Sequence, residues 1–490
     1  MPVLFRIAVR NLVEHKAKTL IVGILIALGI AILVVGNSML DTTTNGMEQY
    51  FTESYTGDLV ISGDTSGQAT IFGYQMNTGN EQLPTVPDYK QVYKHVNELP
   101  SVKHTASQVT GYALVQLGNE QQDFVSLWGV NPDDYWNFFN NIEIVEGKRL
   151  QEGKEGILLS EGTVKNYKKE YKVDIEPGYK LLLNSFGSSG FKIREVPVRG
   201  IFKPIHENQM MDRMAYIDVQ SARSLMGMVV GSAEEIEIDE ESTSLLSDES
   251  SNTDSMFGDS MVEDETEETG ISESRQEDLL AILGDTSGRE AASKPDSGAW
   301  HFIFLRLKDG TSVESMQQKI NTYFTDNDIS ARAFTWEKAS GMESFLTILR
   351  VGLNGAIAIL AIVAIIIIMN TLVISVIDRT SEIGTMRALG AQKGFVFKLF
   401  TLETLTISIV FGLIGILLGS GIIGILNVLH IESENPFFLM MFGGPLLQTS
   451  LSVGAVSNSV LIILLVGFLA SLYPVRVALK VQPIKAIHAE

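Results

Sequence analysis

Four long apolar runs constrain the fold of this 490-residue chain more than any other feature of its sequence. A helix needs about 20 apolar residues to cross a hydrocarbon core of about 30 Å, and each run reaches that length. The runs are residues 20–39, 345–377, 400–428 and 453–473. The sequence therefore predicts a membrane protein with four transmembrane helices and with both termini on one side.

Lys and Arg residues beside the apolar runs predict the orientation of the chain. Basic side chains collect on the cytoplasmic side, and they occur before the first run, between the second and third, and after the fourth, whereas residues 429–452 contain none. We therefore expect a cytoplasmic amphipathic helix at 1–18, transmembrane helix 1 at 19–39, an extracytoplasmic domain at 40–344, transmembrane helix 2 at 345–377, a cytoplasmic loop at 378–399, transmembrane helix 3 at 400–428, an outer loop at 429–452, transmembrane helix 4 at 453–473 and a cytoplasmic tail at 474–490.

The first two apolar runs carry additional expectations. A cleaved signal peptide is the alternative for the first run, but its basic start is long and amphipathic, as in a helix lying along the inner interface. The second run would form a helix of about 50 Å, which exceeds the thickness of one bilayer. Part of it should project outward as a stalk, and Met47, Tyr50 and Phe51 continue the first helix in the same way. Tilt in the membrane is the alternative explanation.

The region between the first two runs has the pattern of a mixed α/β domain. Short β-like runs are separated by Gly, Pro and Asn, and two segments have helical spacing. The predicted strands are residues 59–62, 111–117, 124–130, 156–160, 180–184 and 195–202, and the predicted helices are 89–99 and 219–226.

The end of this region predicts a β-α-β unit. Residues 301–307 and 329–336 have strand patterns, and Thr311 with Glu314 resembles a capping box that opens the helix between them. The unit follows an acidic segment, residues 234–298. Its completeness indicates that the segment is inserted into a folded domain and does not separate two domains.

The acidic segment has an unusual composition. It holds 21 acidic residues against Arg275, Arg289 and Lys294, so most of the chain's formal charge of −21 lies there. With few aromatic residues, such a segment cannot bury enough apolar area to offset its ordering entropy, and we expect it to be disordered. A calcium-binding loop is the alternative, but the ligand spacing of an EF-hand is missing.

Motifs for catalysis are missing from the printed sequence. There is no Gly-x-x-x-x-Gly-Lys-Ser/Thr phosphate loop and no cysteine, and the seven histidines follow no metal-ligand spacing. Ser160 and Ser185 are not framed as a nucleophile elbow. We therefore predict no catalytic site, no cofactor and no metal, and we expect any ATP to be hydrolysed by a partner.

The segment 376–405 is the informative part of the cytoplasmic side. Helix-forming residues from Glu382 to Leu389 stop at Gly390, which predicts a short helix on the membrane face. Such a helix is a docking surface in principle. An ordinary interhelical loop is the alternative, and composition does not decide between the two.

The string EIGTMRALGA, from Glu382 to Ala391, followed by Phe400 and Glu403, resembles the FtsX-like permease domain. That family includes MacB-type exporters and the LolC and LolE lipoprotein-releasing subunits. Both ends of the chain resemble the family's termini, and residues 146–149, 157–160 and 196–202 are similar to its MacB-type periplasmic domain. Only the acidic segment departs from the family pattern.

The resemblance implies the permease subunit of an ABC transporter in the bacterial inner membrane. Such a subunit pairs with a second permease, as a homo- or heterodimer, and binds two copies of an ABC-type ATPase. It implies that the subunit transmits ATP-driven motion to the outer domain and acts on a lipoprotein or other hydrophobic cargo. The further partners it implies are membrane lipid and a periplasmic carrier, and it implies no nucleic acid. The coupling residues it implies are Glu382, Ile383, Gly384, Arg387, Ala388, Leu389 and Gly390.

Two features of the third apolar run concern packing and charge. Gly412, Gly415 and Gly419 form a small-residue face, which predicts close helix packing within the subunit or across a dimer. Glu403 lies inside the run, where a charge usually signals function. Because Lys398 is close by, we interpret Glu403 as an interfacial carboxylate, with a functional role as the alternative.

Two other functions remain open at this stage. The first is an FtsX-type regulator that transmits ATPase strokes to an external cell-wall hydrolase, although the roughly 300 residues outside exceed a usual single domain. The second is a membrane-anchored receptor or adhesin. Substitution of Arg387 and Leu389 discriminates between the transporter and the receptor or adhesin, because it should abolish ATPase association in a transporter and be silent in a membrane anchor.

Overall fold

The computed structural model describes residues 16–64, 69–74, 83–118, 121–187, 190–205, 211–228 and 298–480. The predicted interfacial helix at 1–18, for all but its last three residues, lies outside these ranges. So do the end of the tail and the acidic segment up to residue 297.

Long helices and an extended sheet make up the described part of the chain. The helices are α1 (Lys16–Phe51), α2 (Tyr89–Glu98), α3 (Pro132–Phe138), α4 (Glu161–Asn166), α5 (Val219–Leu225), α6 (Val313–Asp326), α7 (Trp336–Ala339), α8 (Glu343–Asp378), α9 (Thr380–Ala388), α10 (Lys393–Val428), α11 (Pro436–Phe442) and α12 (Val453–Lys480). The strands are β1 (Leu59–Gly63), β2 (Ala69–Thr70), β3 (Gly73–Tyr74), β4 (Val102–Leu117), β5 (Gln121–Val130), β6 (Ile142–Gly147), β7 (Ile157–Ser160), β8 (Lys180–Gly187), β9 (Gly190–Pro204), β10 (Met214–Asp218), β11 (Phe302–Leu307) and β12 (Ala331–Thr335).

Among the described residues, four helices are long and apolar enough to cross a membrane: α1, α8, α10 and α12. This confirms the predicted number of spans. Helices α1, α8 and α10 each have 36 residues, and at 1.5 Å per residue each is about 54 Å long. Each is therefore longer than a hydrocarbon core of about 30 Å requires.

The membrane helices pack around α1 through small residues of α10. A Cβ atom on Gly415 would lie 2.5 Å from the carbonyl oxygen of Ala27, and one on Gly419 would lie 2.9 Å from the Cβ of Val34. Gly412 faces Ile463 of α12 instead. These three glycines therefore sit at contacts within the subunit, where a missing side chain lets helix backbones approach closely.

Part of the outer sheet closes on itself. Strands β4, β5, β10, β7, β9 and β8 are paired in that order, and β8 pairs again with β4, which makes a six-stranded barrel. Strand β4 begins at Val102, well before the predicted start at Gly111. The barrel is filled by apolar side chains, among them Val115, Val125, Leu159, Leu183, Val198 and Ile217.

The sheet continues from β4 through β11 and β1 to β12. Strand β1 lies between β11 and β12 and is antiparallel to both. The two strands of the β-α-β unit formed by β11, α6 and β12 are therefore separated by β1. Helices α2 and α6 cover one face of this region through residues such as Val92, Val96 and Ile320.

Two local predictions in this unit are wrong. The N-cap of α6 is Ser312, whose hydroxyl accepts from the backbone N–H of Ser315, and not Thr311. The last strand ends at Thr335, and Trp336 begins the short helix α7. Ser312 is the cap because it directly precedes the first helical residue, and from there its hydroxyl reaches the backbone N–H at position N3. Thr311 lies one residue too early.

The outer ends of α1 and α8 enter the core of the outer domain. Met47 and Phe51 of α1 and Leu346 of α8 are fully buried there. Phe51 stacks on Trp336 with ring centroids 5.8 Å apart. We call this group the stalk junction, and it joins two membrane helices to one aromatic core.

The two flanks of the acidic segment meet at Arg223 of α5. Its Nε donates to the carbonyl oxygen of Ala299 at 2.9 Å, and its guanidinium lies 4.6 Å from the centre of the Trp300 ring. The N–H of Met228 donates to the carbonyl oxygen of Arg223. The two described ends, Met228 and Ala299, therefore lie beside the same residue.

Burial of His301 predicts a pH-dependent stability of the outer domain. Desolvation lowers the pKa of His301 from 6.5 to about 4, and Nδ1 accepts from the backbone N–H of Thr110. Between these values the unfolded chain binds more protons, so the unfolding free energy should fall by about 3 kcal/mol as the pH falls from about 6.5 to about 4. His301→Asn, whose Oδ1 can accept the same hydrogen bond, should remove most of this fall.

Urea unfolding followed by tryptophan fluorescence checks this expectation, because Trp128, Trp136, Trp300 and Trp336 are the four tryptophans of the chain and all lie in the outer domain. An equal loss of stability in wild type and His301→Asn over this pH range would contradict it.

Candidate functional site

The predicted cytoplasmic helix is present as α9, between α8 and α10. Helix α8 ends at Asp378, the chain turns at Arg379, and α9 follows directly. Helix α9 is closed by Gly390, whose φ of +97° is a conformation that glycine adopts without strain. The prediction of a short helix with a glycine end therefore agrees with the observed backbone.

Helix α9 is anchored by its buried side. Ile383 is completely buried in an apolar cluster with Val376, Val396, Phe400 and Val475, which come from α8, α10 and α12. Gly384, next to Ile383, is buried as well. Two of the predicted coupling residues thus hold the helix against the membrane domain and do not face outward.

A buried ion pair lies beside this cluster. Arg379 is 5% exposed and Glu403 of α10 is 7% exposed. Nη1 of Arg379 donates to both carboxylate oxygens of Glu403, at 3.1 and 3.2 Å. The interpretation of Glu403 as an interfacial carboxylate is therefore incomplete, because its carboxylate is enclosed by protein and paired.

The opposite side of α9 is open. Glu382, Ala388 and Gly390 are exposed, and Leu389 is 85% exposed. Leu389 lines a shallow concave surface together with Met386, Gly390, Ala391, Gln392 and Phe395. Met386 and Phe395 are partly exposed beside Leu389, and a contiguous apolar surface of this kind is typical of a contact with another protein.

Arg387 has a different environment from the one expected of a docking residue. It is half-buried, and its Nη1 donates to the carbonyl oxygen of Leu479 near the end of α12 at 3.3 Å. This bond joins α9 to the last described turn of α12. Arg387 therefore ties α9 to α12.

Arg379 is the residue that the sequence analysis did not select. Its signal is present in the chain: a basic residue directly after one apolar run and an acidic residue inside the next. Antiparallel neighbours joined by a short connection bring such positions together.

Within the ranges that the structure describes, no group of three or more His, Asp or Glu side chains could hold a metal ion.

Two family models match this chain. The FtsX-like permease C-terminal model matches residues 354–483, and the MacB-like periplasmic core domain model matches residues 19–323, more than half of the chain. This chain belongs to the MacB/FtsX-type family of ABC transporter permeases. The first of these matches includes most of α8 and the whole of α9, α10 and α12, and the second includes nearly all of α1 and the outer domain as far as α6.

Individual relatives cover smaller parts of the permease. It is 27% identical to an uncharacterized ABC transporter permease of Methanocaldococcus jannaschii, over 44% of this chain and 52% of that one. It is 29% identical to the macrolide export ATP-binding/permease protein MacB of Chromobacterium violaceum, over 39% and 29%. It is also 29% identical to the uncharacterized ABC transporter permease YknZ of Bacillus subtilis, over 38% and 45%.

The matched regions thus span about half or less of the length of these relatives. Among solved structures, the periplasmic region of MacB from Actinobacillus actinomycetemcomitans aligns with 61% of the permease and 97% of its own chain. The sequence identity is 8% and the TM-score is 0.32. That superposition is too weak to carry an argument.

Proposed function

We propose that this permease transmits the motion of a partner ABC-type ATPase to its outer domain. The observation that carries the proposal is Leu389, which is 85% exposed at the end of a helix whose other side is fixed by Ile383. An apolar side chain on a rigid support loses little conformational entropy when a partner covers it. Two ATPase copies and a second permease, identical or different, complete the proposed assembly.

A continuous route leads from α9 to the outer domain. Helix α9 follows α8 after a single residue, and α8 runs without interruption to Glu343, near the stalk junction. Helix α1 packs beside α8 and reaches the same junction at Phe51. A displacement at α9 can therefore reach the outer domain through rigid helices, with no need for substrate to cross the membrane.

The finer parts of the proposal concern cargo and location. We place the permease in the bacterial inner membrane with cytoplasmic termini, and we assign it a lipoprotein or other hydrophobic cargo, with a periplasmic carrier as a further partner. Support comes from the family resemblance and from the large outer domain. Macrolide export is the activity that the name of the MacB relative gives, and it belongs to that protein.

Leu389→Glu tests the proposal. We expect the variant to lose a P-loop ATPase that co-purifies with the wild-type permease from its native membrane in mild detergent. The recovery should fall about thirtyfold, because a central apolar anchor of an interface contributes about 2 kcal/mol or more. Mass spectrometry of the bound proteins measures it, and the same preparation identifies bound cargo.

Leu429→Glu is the matched control, because Leu429 is 62% exposed at the opposite end of α10. It should retain the ATPase at the wild-type level. Arg387 is less suitable for this test, since its bond to Leu479 gives it a structural role as well. Equal ATPase recovery from Leu389→Glu and wild type, or none from wild type, would sink the proposal and favour a receptor or adhesin.

A further inference from the structure

The buried pair of Arg379 and Glu403 joins the turn between α8 and α9 to helix α10. Arg379 lies between α8 and α9, and Glu403 lies on α10, which leads back across the membrane. Nε of Arg379 also donates to Glu382 on α9 at 3.2 Å. A single guanidinium thus contacts carboxylates on both α9 and α10.

The two contacts of Arg379 differ in strength. The side chain of Glu382 is 61% exposed, so water and salt weaken its bond to Arg379. The bond to Glu403 is enclosed, and the guanidinium also lies 5.7 Å from the centre of the Phe400 ring. Separating a buried charge pair costs far more than separating an exposed one, so the contact of Arg379 with Glu403 is much harder to open than its contact with Glu382.

Helix α10 continues this connection to α1. Its Gly415 and Gly419 lie against the backbone of α1, and α1 ends in the stalk junction at Phe51. A force on α9 can therefore take two routes, one along α8 and one into α10 and then α1. The second route runs through residues 389–392, through the packing of Ile383 against Phe400 and through the ion pair.

We propose that Arg379 and Glu403 form a latch that makes α9 and α10 move as one body, so that ATPase motion reaches both stalk helices. Both are positioning residues. This inference rests on the proposed function, because it assigns a role to motion that the ATPase supplies. Without the latch, the connection at residues 389–392 and the packing of Ile383 would be left to hold α9 to α10, and the angle between the two helices would vary more.

The absence of cysteine makes the latch accessible to spin labels. Thr385→Cys on α9 and Val410→Cys on α10 are exposed positions for a label pair. Distances between the labels are measured by double electron–electron resonance in the permease purified with its ATPase, without nucleotide and after trapping with ATP and vanadate. We expect one narrow distance that is the same in both states.

Glu403→Gln should break the latch. Its distance distribution should be about twofold broader without nucleotide and should shift on trapping, while ATPase recovery stays at the wild-type level. Arg379→Gln should do the same, Arg379→Lys should do less because it keeps the charge, and the double variant Arg379→Gln with Glu403→Gln should be no worse than either single variant. Glu434→Gln, an exposed carboxylate of the outer loop, should match wild type.

Two results would overturn the latch: a narrow, nucleotide-independent distance in Glu403→Gln, or a distance in wild type that changes on trapping. Glu403→Asp guards against misfolding, since it keeps the charge and should give an intermediate width. Failure of the proposed function gives a separate result, because no ATPase then co-purifies with the wild-type permease. The widths of the nucleotide-free distance distributions between the labels still test the latch in that case.

Discussion

Replacing Gly415 with isoleucine is expected to separate α1 from α10 and to lower the stability of the membrane domain strongly. A Cβ atom at this position would lie 2.5 Å from the carbonyl oxygen of Ala27 and 3.0 Å from its Cα. Both are backbone atoms in the middle of a long helix, so they cannot move aside as a side chain can. Overpacking of this kind costs about 1–3 kcal/mol or more, and here the helices must shift as whole bodies.

Gly421→Ile on the same helix is the matched control, because a Cβ atom there would meet nothing within 4 Å. Both substitutions change the helix propensity equally, so the difference between them isolates the contact with α1. Thermal aggregation in detergent, followed by size-exclusion chromatography, measures the two stabilities. If both variants lose their folded peak at the same temperature, Gly415 does not lie at a tight contact.

The second large effect is expected at the stalk junction. Phe51→Ala removes a fully buried ring that stacks on Trp336, and it should lower the unfolding free energy of the outer domain by about 3–5 kcal/mol. The cavity would open where α1 enters the domain, so the stalk should loosen as well. Urea unfolding followed by tryptophan fluorescence measures the loss, and the emission of Trp336 should shift to the red.

Phe191→Ala provides the comparison, since Phe191 is 51% exposed on β9 and loses the same atoms. Its effect should stay within about 0.5 kcal/mol, as for other surface substitutions. Equal losses for Phe51→Ala and Phe191→Ala would mean that the stalk is not part of the outer-domain core.

The membrane part of the fold could be predicted because its constraint is local. A span must supply about 20 apolar residues in succession, and that requirement is visible in any window of the sequence. The stalks were also visible, since Met47, Tyr50 and Phe51 keep a helical spacing beyond the bilayer. Most outer strands were predicted from Gly, Pro and Asn between β-like runs, with errors at their ends.

The barrel and the strand order could not be predicted in this way. Strand β1 pairs with β11, more than 200 residues later, and only pairing across the whole domain decides its neighbours. The closure of the barrel through β8 depends on the same long-range contacts. Loop-closure entropy and side-chain packing set these pairings, and neither is read from a short window.

In the candidate site, too, local features could be predicted from the sequence and contacts between distant residues could not. Its position and its glycine end follow from the sequence string, but the direction of each side chain does not. Ile383 is turned inward, Leu389 outward and Arg387 toward Leu479. Whether the predicted coupling residues contact an ATPase stays a prediction. The pairing of Arg379 with Glu403 required the geometry of two helices that meet at one turn.

The meeting of both flanks of the acidic segment at Arg223 has a practical consequence for engineering. Because the described ends lie beside the same residue, a flexible linker that joined them would cost only about 0.6 kcal/mol more in closure entropy for each doubling of its length. A short Gly/Ser bridge or an entire fluorescent protein could therefore stand in its place with the barrel intact. The position after Met228 is thus a natural point for grafting a reporter onto the outer domain.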